Sequence, residues 1–315
     1  MKRVCIVGCG AIGSLYAAHL AQVAEVWAFV RRQDHAKTLN RDGLRVSGKH
    51  EFHASLKATT RAEELPDCEL GIVATKATQV EDSIVLVGHR FDRGAVISAQ
   101  NGLGSEEIVA AHTRGQVIRG TTFMSGTKHS DAHVQFELDT ATWLGPFEPR
   151  HTAYALVQET AELLNASGLK AEALQDARPA QWSKLIFNAS VNGVSALTGL
   201  PHSPHFADES DRSSLGHLLH DLIAEGKRVA QAAGIKLHDD PWVMNKIGAV
   251  TNHPPSMLYD IRHQSRTEVD FLNGAIAREA ERAGVSAPLH TAVYRLIKAK
   301  ESSWTFKDEN RAVEL

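Results

Sequence analysis

A glycine-rich turn near the start of the chain has the spacing of a dinucleotide-binding loop. An apolar run at residues 4–7 leads into Gly8-Cys9-Gly10-Ala11-Ile12-Gly13, and a helical pattern follows. In such a strand–turn–helix unit the first glycine permits the tight turn, the second lets the backbone approach a pyrophosphate, and the third allows close helix packing. The N–H groups at the helix start attract phosphates. The spacing also occurs by chance in structural turns, but its flanking segments favour a dinucleotide site.

Two arginines follow the next predicted strand. A site specific for NAD carries Asp or Glu at the end of this strand, where the carboxylate binds the ribose 2′-hydroxyl. This sequence has Val30-Arg31-Arg32 instead, and a guanidinium can bind a 2′-phosphate through two hydrogen bonds. The pattern predicts NADP(H) as the cofactor, with Arg31 as a phosphate ligand. A solvated basic turn is the alternative, because Asp34 lies nearby.

Polar residues follow two further predicted strands, at residues 70–74 and 95–99. Lys76 comes soon after the first strand, and Asn101 comes soon after the second. Ligands of an open parallel sheet bind beyond the carboxyl ends of its strands. We therefore expect both side chains to meet the cofactor, although Asn101-Gly102 is also a common turn dipeptide.

A polar stripe is predicted on a helix in the second half of the chain. Lys184, Asn188 and Asn192 are spaced four residues apart, so they share one face of a helix whose neighbours are mostly apolar. If the stripe is buried, each amide needs a partner, and a ligand is one candidate. A stripe that faces solvent is the alternative.

Ser256 and Glu268 each stand near a predicted helix start. Ser256 follows Pro254-Pro255, and Glu268 follows Thr267, which with Asp270 resembles a capping box. Ordinary capping and the helix dipole explain both residues equally well. Neither residue would be selected by its spacing alone.

The elements that must position these residues fall into two groups. Short apolar strands at residues 4–7, 25–30, 70–74 and 95–99 alternate with helical stretches, which predicts a parallel α/β sheet. Strand-like segments at residues 116–122, 133–138 and 142–144 lack intervening helices, so we expect an antiparallel meander at the end of this sheet. Helical periodicity dominates from about residue 176. The prediction is a Rossmann-type domain at residues 1–175 and an all-helical domain at residues 176–315.

Composition excludes several classes of protein. The chain has 315 residues, 43% of them hydrophobic and 23% charged, with a formal net charge of −3, so disorder and a nucleic-acid-binding surface are not expected. Three cysteines without a C-x-x-C pair fit a reducing cytoplasm. The charged and apolar start imitates a signal peptide, but its glycine pattern favours the nucleotide loop. We expect no membrane span, and no metal site despite seventeen histidines. A homodimer is left open.

These motifs together resemble ketopantoate reductase (2-dehydropantoate 2-reductase). The resemblance covers nearly the whole chain and keeps the motif order, from the glycine loop through Arg31 to the segments around Ser256 and Glu268. It implies a Rossmann domain followed by a helical domain, and reduction of ketopantoate to pantoate by NADPH in the vitamin B5 pathway. It also implies Lys184 as proton donor, with Glu268 organising cofactor and substrate. Substrate contacts would come from Asn101, Lys184, Asn188, Asn192 and Ser256, and cofactor contacts from Lys76 and Asn101.

Two segments depart from the family pattern. Pro254-Pro255 directly precedes Ser256, and His202 stands where some relatives carry a substrate-facing amide. These departures leave the substrate more open than the fold. A related NADP-dependent enzyme with another 2-oxo acid substrate is one alternative, and a non-catalytic dinucleotide sensor is another.

Overall fold

The protein divides into two compact units. A computed structural model describes residues 2–305. The units are Met1–Gln181 and Trp182–Leu315, so the division lies at residue 181, whereas 175 was predicted from the sequence. It falls within a helix that is continuous from Arg178 to Thr198.

The first unit contains the strands of two sheets. In chain order these are β1 (Arg3–Val7), β2 (Glu25–Phe29), β3 (Leu44–Gly48), β4 (Phe52–Ala54), β5 (Lys57–Thr59), β6 (Leu70–Val73), β7 (Ala95–Ser98), β8 (Gln116–Thr122), β9 (Ser125–Ser130), β10 (His133–Leu138), β11 (Thr142–Pro146) and β12 (Ala171–Ala173). The helices of this unit are α1 (Ala11–Leu20), α2 (Gln33–Asp42), α3 (Val80–Val87), α4 (Ser105–Ala111) and α5 (Tyr154–Ala166).

In the described part of the chain, the main sheet has eight strands in the order β12-β11-β8-β7-β6-β1-β2-β5. The strands from β8 to β5 pair in parallel. Chain order runs outward in both directions from β1 and β6, which makes their carboxyl ends the crevice where open α/β sheets bind ligands. The predicted Rossmann-type sheet is therefore confirmed.

Apolar layers cover both faces of the main sheet. Along β1, Val4 and Ile6 pack into one core with α1 and α5, while Cys5 and Val7 pack into the other with α3 and α4. This alternation follows from the two-residue period of a strand. The crevice is thus built on a rigid, doubly covered strand.

A second sheet corrects the predicted antiparallel meander. Its order is β4-β3-β10-β9, and β10 pairs in parallel with β3, some ninety residues earlier in the chain. β11 returns to the main sheet, where it pairs antiparallel with β8. The predicted meander was wrong for residues 133–138, because β3 offered a free edge and because its apolar residues Leu44 and Val46 share a core with Val134, Phe136 and Leu15 of α1. The second sheet therefore packs over α1, next to the glycine loop.

The second unit is helical, as predicted. Its elements are α6 (Arg178–Thr198, shared with the first unit), α7 (Leu215–Ala232), α8 (Pro241–Gly248), α9 (Ser256–Arg262), α10 (Asn273–Arg282) and α11 (Pro288–Ser303). The capping box expected at Thr267 was wrong, since α10 begins at Asn273. The Thr267 hydroxyl donates instead to Glu301 Oε1 at 2.6 Å. Glu268 therefore lies in a turn before the helix.

Buried polar side chains fix these helices against one another. Asn273 Nδ2 donates to the Ala189 carbonyl of α6 at 3.0 Å and contacts His290 Nδ1 at 3.1 Å. The buried Glu225 carboxylate accepts from the His290 N–H at 2.8 Å, at the start of α11. Burial lowers the pKa of His290 to about 4, so its ring is neutral at pH 7. Leaving a buried polar group without a partner costs free energy of folding, so these hydrogen bonds favour one arrangement of the packed helices.

Candidate functional site

The glycine loop of the first unit has the geometry expected of a phosphate-binding turn. Gly8 has φ +92°, a conformation that favours glycine, and its N–H donates to the Phe29 carbonyl at 2.9 Å. A Cβ at Gly13 would collide with the Gly8 carbonyl oxygen, so a side chain there would push α1 away from β1. Among residues 2–305, a Cβ at Gly10 would meet no atom within 4 Å. The loop thus has open space at Gly10, where a pyrophosphate could approach.

A cavity of about 420 Å³ opens beside this loop. Its lining comes from the carboxyl ends of parallel strands: Gly8, Cys9 and Gly10 after β1, Arg31 and Arg32 after β2, Thr60 after β5 and Thr75 after β6. This is the crevice predicted by the strand order. Ala11, Ile12 and Gly13 form the first turn of α1, directly behind it.

Arg31 and Arg32 differ in their surroundings. Arg31 is exposed at the cavity and makes no hydrogen bond or ion pair with any residue between 2 and 305. Arg32 is engaged, because its Nη2 donates to Asp131 Oδ1 at 2.6 Å. Arg31 therefore has its five donors available for an anion.

Two cavity residues carried no signal in the sequence. Lys128 lies on β9 of the second sheet, and His35 lies on α2. Lys128 Nζ donates to the Cys9 carbonyl at 3.1 Å and to Asp131 Oδ1 at 3.0 Å, and it contacts His35 Nε2 at 3.1 Å. Burial, and next the Lys128 charge, lower the pKa of His35 to about 4. The side chain of His35 is therefore neutral at pH 7 and can accept from Lys128.

Lys76 and Asn101 follow the neighbouring strands β6 and β7, as predicted, but neither lines the cavity. Gln100 links the two loops, since its Nε2 donates to the Val73 carbonyl at 2.7 Å and to the Thr75 carbonyl at 3.1 Å. The Ser98 hydroxyl in turn donates to Gln100 Oε1 at 2.7 Å. Gln100 therefore positions the loops, a role that sequence reasoning missed.

The predicted stripe on α6 is partly buried. Lys184 and Asn188 are half-buried, and Asn192 is buried. Burial lowers the pKa of Lys184 to about 8, while the nearby carboxylate of Glu268 opposes this shift. Glu268 is itself only 8% exposed, so its charge acts in a medium that screens poorly. The alternative of a solvent-facing stripe is wrong for Asn192.

Asn192 and Ser256 come together at the start of α9. Asn192 Oδ1 accepts from the Ser256 hydroxyl at 3.3 Å and from the Met257 N–H at 3.2 Å. The Ser256 side chain is exposed, and its residue is the first of the helix. Asn192 thus also satisfies a backbone group at the helix start, a structural function that spacing did not reveal.

His202 is a buried structural residue. Its Nε2 contacts Asn245 Oδ1 at 2.9 Å, and its ring packs against Phe187 and Phe206. Burial lowers the pKa of its imidazole, so the ring is neutral at pH 7. The His202 N–H donates to the His253 carbonyl at 3.0 Å and thereby anchors the segment that carries Pro254-Pro255.

Comparison with known proteins identifies the family. The model of the ketopantoate reductase PanE/ApbA family matches residues 4–149, and the model of its C-terminal domain matches residues 176–301. The chain belongs to the ketopantoate reductase family. The resemblance inferred from the motifs is confirmed, and the chain is an oxidoreductase.

Relatives of this family match the chain along nearly its full length. A protein of Archaeoglobus fulgidus named 2-dehydropantoate 2-reductase is 30% identical over 96% of this chain and 99% of its own length. A ketopantoate reductase structure from Ralstonia eutropha has a TM-score of 0.85 at 23% identity, covering 96% of this chain and all of the other. The structure of a D-mandelate dehydrogenase with NADH and anilino(oxo)acetate has a TM-score of 0.84 at 23% identity, over 97% and 100%. At these identities the two structures establish the fold.

Two features of residues 2–305 bear on the expected absence of a membrane span and of a metal site. None of the helices there is both long and apolar enough to cross a membrane. No group of three or more His, Cys, Asp or Glu side chains in the same residues could hold a metal ion.

Proposed function

We propose that this chain reduces the keto group of a small 2-oxo acid with NADPH, and that the acid is 2-dehydropantoate, giving pantoate for pantothenate synthesis. The observation that carries the proposal is the half-buried Lys184 near the buried carboxylate of Glu268. Burial lowers the pKa of Lys184 to about 8, so its ammonium is able to donate a proton near neutral pH. Family membership supports a nicotinamide dinucleotide as cofactor and a small keto acid as substrate.

The residues of the cavity fit a nicotinamide dinucleotide phosphate. Gly10 leaves room for a pyrophosphate at the start of α1, where backbone N–H groups and the helix dipole favour negative charge. Arg31 pairs with no residue among 2–305, and it follows β2 at the position that meets the 2′-phosphate in NADP-specific sites. Lys76 and Asn101, at the ends of the next strands, complete the proposed set of cofactor contacts.

Lys184 has two proposed tasks at the substrate. A reduced nicotinamide supplies a hydride to the keto carbon when bound. As negative charge develops on the keto oxygen, the Lys184 ammonium donates a hydrogen bond to that oxygen and then transfers its proton, so that a hydroxyl group forms and a neutral amine remains. Solvent restores the proton before the next turnover.

Glu268, Asn188, Asn192 and Ser256 hold the reactants in this proposal. The carboxylate of Glu268 opposes the effect of burial on Lys184 and so keeps more of it protonated. Asn188 presents a half-buried amide one turn along α6 from Lys184. Ser256, oriented by Asn192 Oδ1, offers a hydroxyl to a hydroxyl or carboxylate group of the acid.

A panel of 2-oxo acids, each assayed with NADPH and with NADH, tests the proposal. We expect the highest kcat/KM for 2-dehydropantoate with NADPH. The panel includes aryl 2-oxo acids, because a D-mandelate dehydrogenase shares the fold. If another acid is turned over faster, that acid replaces 2-dehydropantoate as the proposed substrate. If the protein binds NADPH but reduces none of the acids, the dinucleotide-sensor alternative is favoured.

A further inference from the structure

A lysine of the second sheet is hydrogen-bonded to the glycine loop that follows β1 of the main sheet. Lys128 is delivered by β9, more than a hundred residues after Cys9, yet its Nζ reaches the Cys9 carbonyl at 3.1 Å. The same carbonyl accepts from the Ser14 hydroxyl of α1 at 3.3 Å. Two donors from different elements thus fix the orientation of one peptide group in the loop.

All three protons of the Lys128 ammonium have acceptors. They point to the Cys9 carbonyl, to Asp131 Oδ1 at 3.0 Å and to the neutral ring of His35 at 3.1 Å. An ammonium group has three N–H donors and no more. Lys128 therefore acts on a bound ligand through the loop that it holds.

The geometry of the peptide bond shows how the two hydrogen bonds to the Cys9 carbonyl orient the next N–H group. In a trans peptide the C=O and the N–H point in opposite directions, and none of the described peptide bonds is cis. Holding the Cys9 carbonyl toward Lys128 and Ser14 therefore turns the Gly10 N–H to the other side of the peptide. Among residues 2–305, that N–H donates to no acceptor, and the space around Gly10 is open. It is a donor oriented for an anion before any ligand arrives.

The charge of Lys128 acts at the same place. Its side chain is 24% exposed, so water screens the ammonium only in part. A cation bound to the loop that precedes α1 reinforces the positive end of that helix. Geometry and charge both favour a pyrophosphate, which every nicotinamide dinucleotide carries whether or not it has a 2′-phosphate.

We propose that Lys128 is a positioning residue for the glycine loop, which it orders for the pyrophosphate of NADPH and NADH alike. This inference rests on the proposed function of the cavity. It separates Lys128 from Arg31, which is proposed to contact only the 2′-phosphate.

The test compares Lys128→Met with a matched control, Lys170→Met. Lys170 also bonds a carboxylate and a carbonyl, both of Asp139, but lies outside the cavity lining. In fluorescence titrations of the whole protein, Lys128→Met should raise Kd for NADPH and for NADH by the same factor, about 10-fold, since a charge-assisted hydrogen bond orders the loop. The Kd ratio of the two cofactors and kcat at saturating NADPH should stay near wild type. Lys170→Met should bind both cofactors as wild type does.

Two other outcomes with folded Lys128→Met would overturn the inference. Unchanged Kd values with a lowered Tm would show a purely structural lysine, and loss of NADPH affinity alone would assign Lys128 to the 2′-phosphate. If Lys128→Met does not fold, Ser14→Ala is tested in its place. Both Kd values should then rise by about 3-fold, because the Cys9 carbonyl loses its second donor. Unchanged Kd values in Ser14→Ala would overturn the inference. Wild-type protein that binds neither cofactor would overturn the proposed function itself.

Discussion

The pH dependence of hydride transfer should report directly on Lys184. Burial lowers the pKa of its ammonium to about 8, against an ordinary value of 10.5. In the proposed mechanism, reduction of the keto acid consumes a proton from this group, so only the protonated form would be competent. The rate should therefore be constant below pH 8 and fall as the pH rises through that value.

The size of the effect follows from the pKa. About nine in ten molecules carry the protonated lysine at pH 7, but only about one in ten at pH 9, so the rate should fall about 10-fold for each further pH unit. Glu268→Gln removes the charge that opposes the effect of burial. The inflection should then move to lower pH.

Single-turnover oxidation of NADPH is the appropriate assay, because product release does not mask the chemical step. Wild type, Glu268→Gln and Lys184→Arg are compared between about pH 6 and pH 10, with the best substrate of the panel. Lys184→Arg keeps the charge but is a far weaker acid, so it should be slow and lack the inflection. Lys184→Ala should lose at least about 10²-fold in rate.

Two results would refute this reasoning. One is a wild-type rate that stays constant up to pH 10, and the other is an unchanged inflection in Lys184→Arg. Glu281→Gln, which alters an exposed carboxylate of the same unit, controls for a general change in charge. A shift of the inflection equal to that in Glu268→Gln would remove Glu268 from the argument.

Three further predictions concern the two binding regions. Arg31→Ala should lose at least about 10-fold of the preference for NADPH over NADH, measured as the ratio of Kd values, and an unchanged ratio would leave the basic turn merely solvated. Gly13→Ala should destabilise the fold by about 1–3 kcal/mol, because its Cβ meets the Gly8 carbonyl. Gly10→Ala should keep the wild-type Tm and lose cofactor affinity, and an equal loss of Tm in both variants would contradict this prediction. Asn192→Ala should lower both stability, by about 1–3 kcal/mol, and kcat/KM, because a backbone N–H loses its acceptor, while Asn188→Ala should impair kcat/KM at unchanged Tm; wild-type kinetics in both variants would make the stripe structural.

Local patterns in the sequence were sufficient for much of the fold and of the candidate site. The turn after β1 can be predicted from Gly8, Gly10 and Gly13, because each glycine is required by steric contacts close to it in the strand–turn–helix unit. The helix that carries Lys184 and Asn192 is likewise encoded by a period of 3.6 residues. The helical second half and the strands of the parallel sheet were predicted for the same reason.

Features that depend on residues far apart in the chain were decided by tertiary structure. β10 pairs with β3 instead of extending the main sheet, and this second sheet brings Lys128 to Cys9 and Asp131 to Arg32. Periodicity records which face of a strand is buried, but not which edge it will join, since many edges offer the same backbone hydrogen bonds. The sequence thus predicted that both arginines follow a strand. The packing of the β9–β10 hairpin, far along the chain, decided that Arg32 bonds Asp131 and that Arg31 stays available to a ligand.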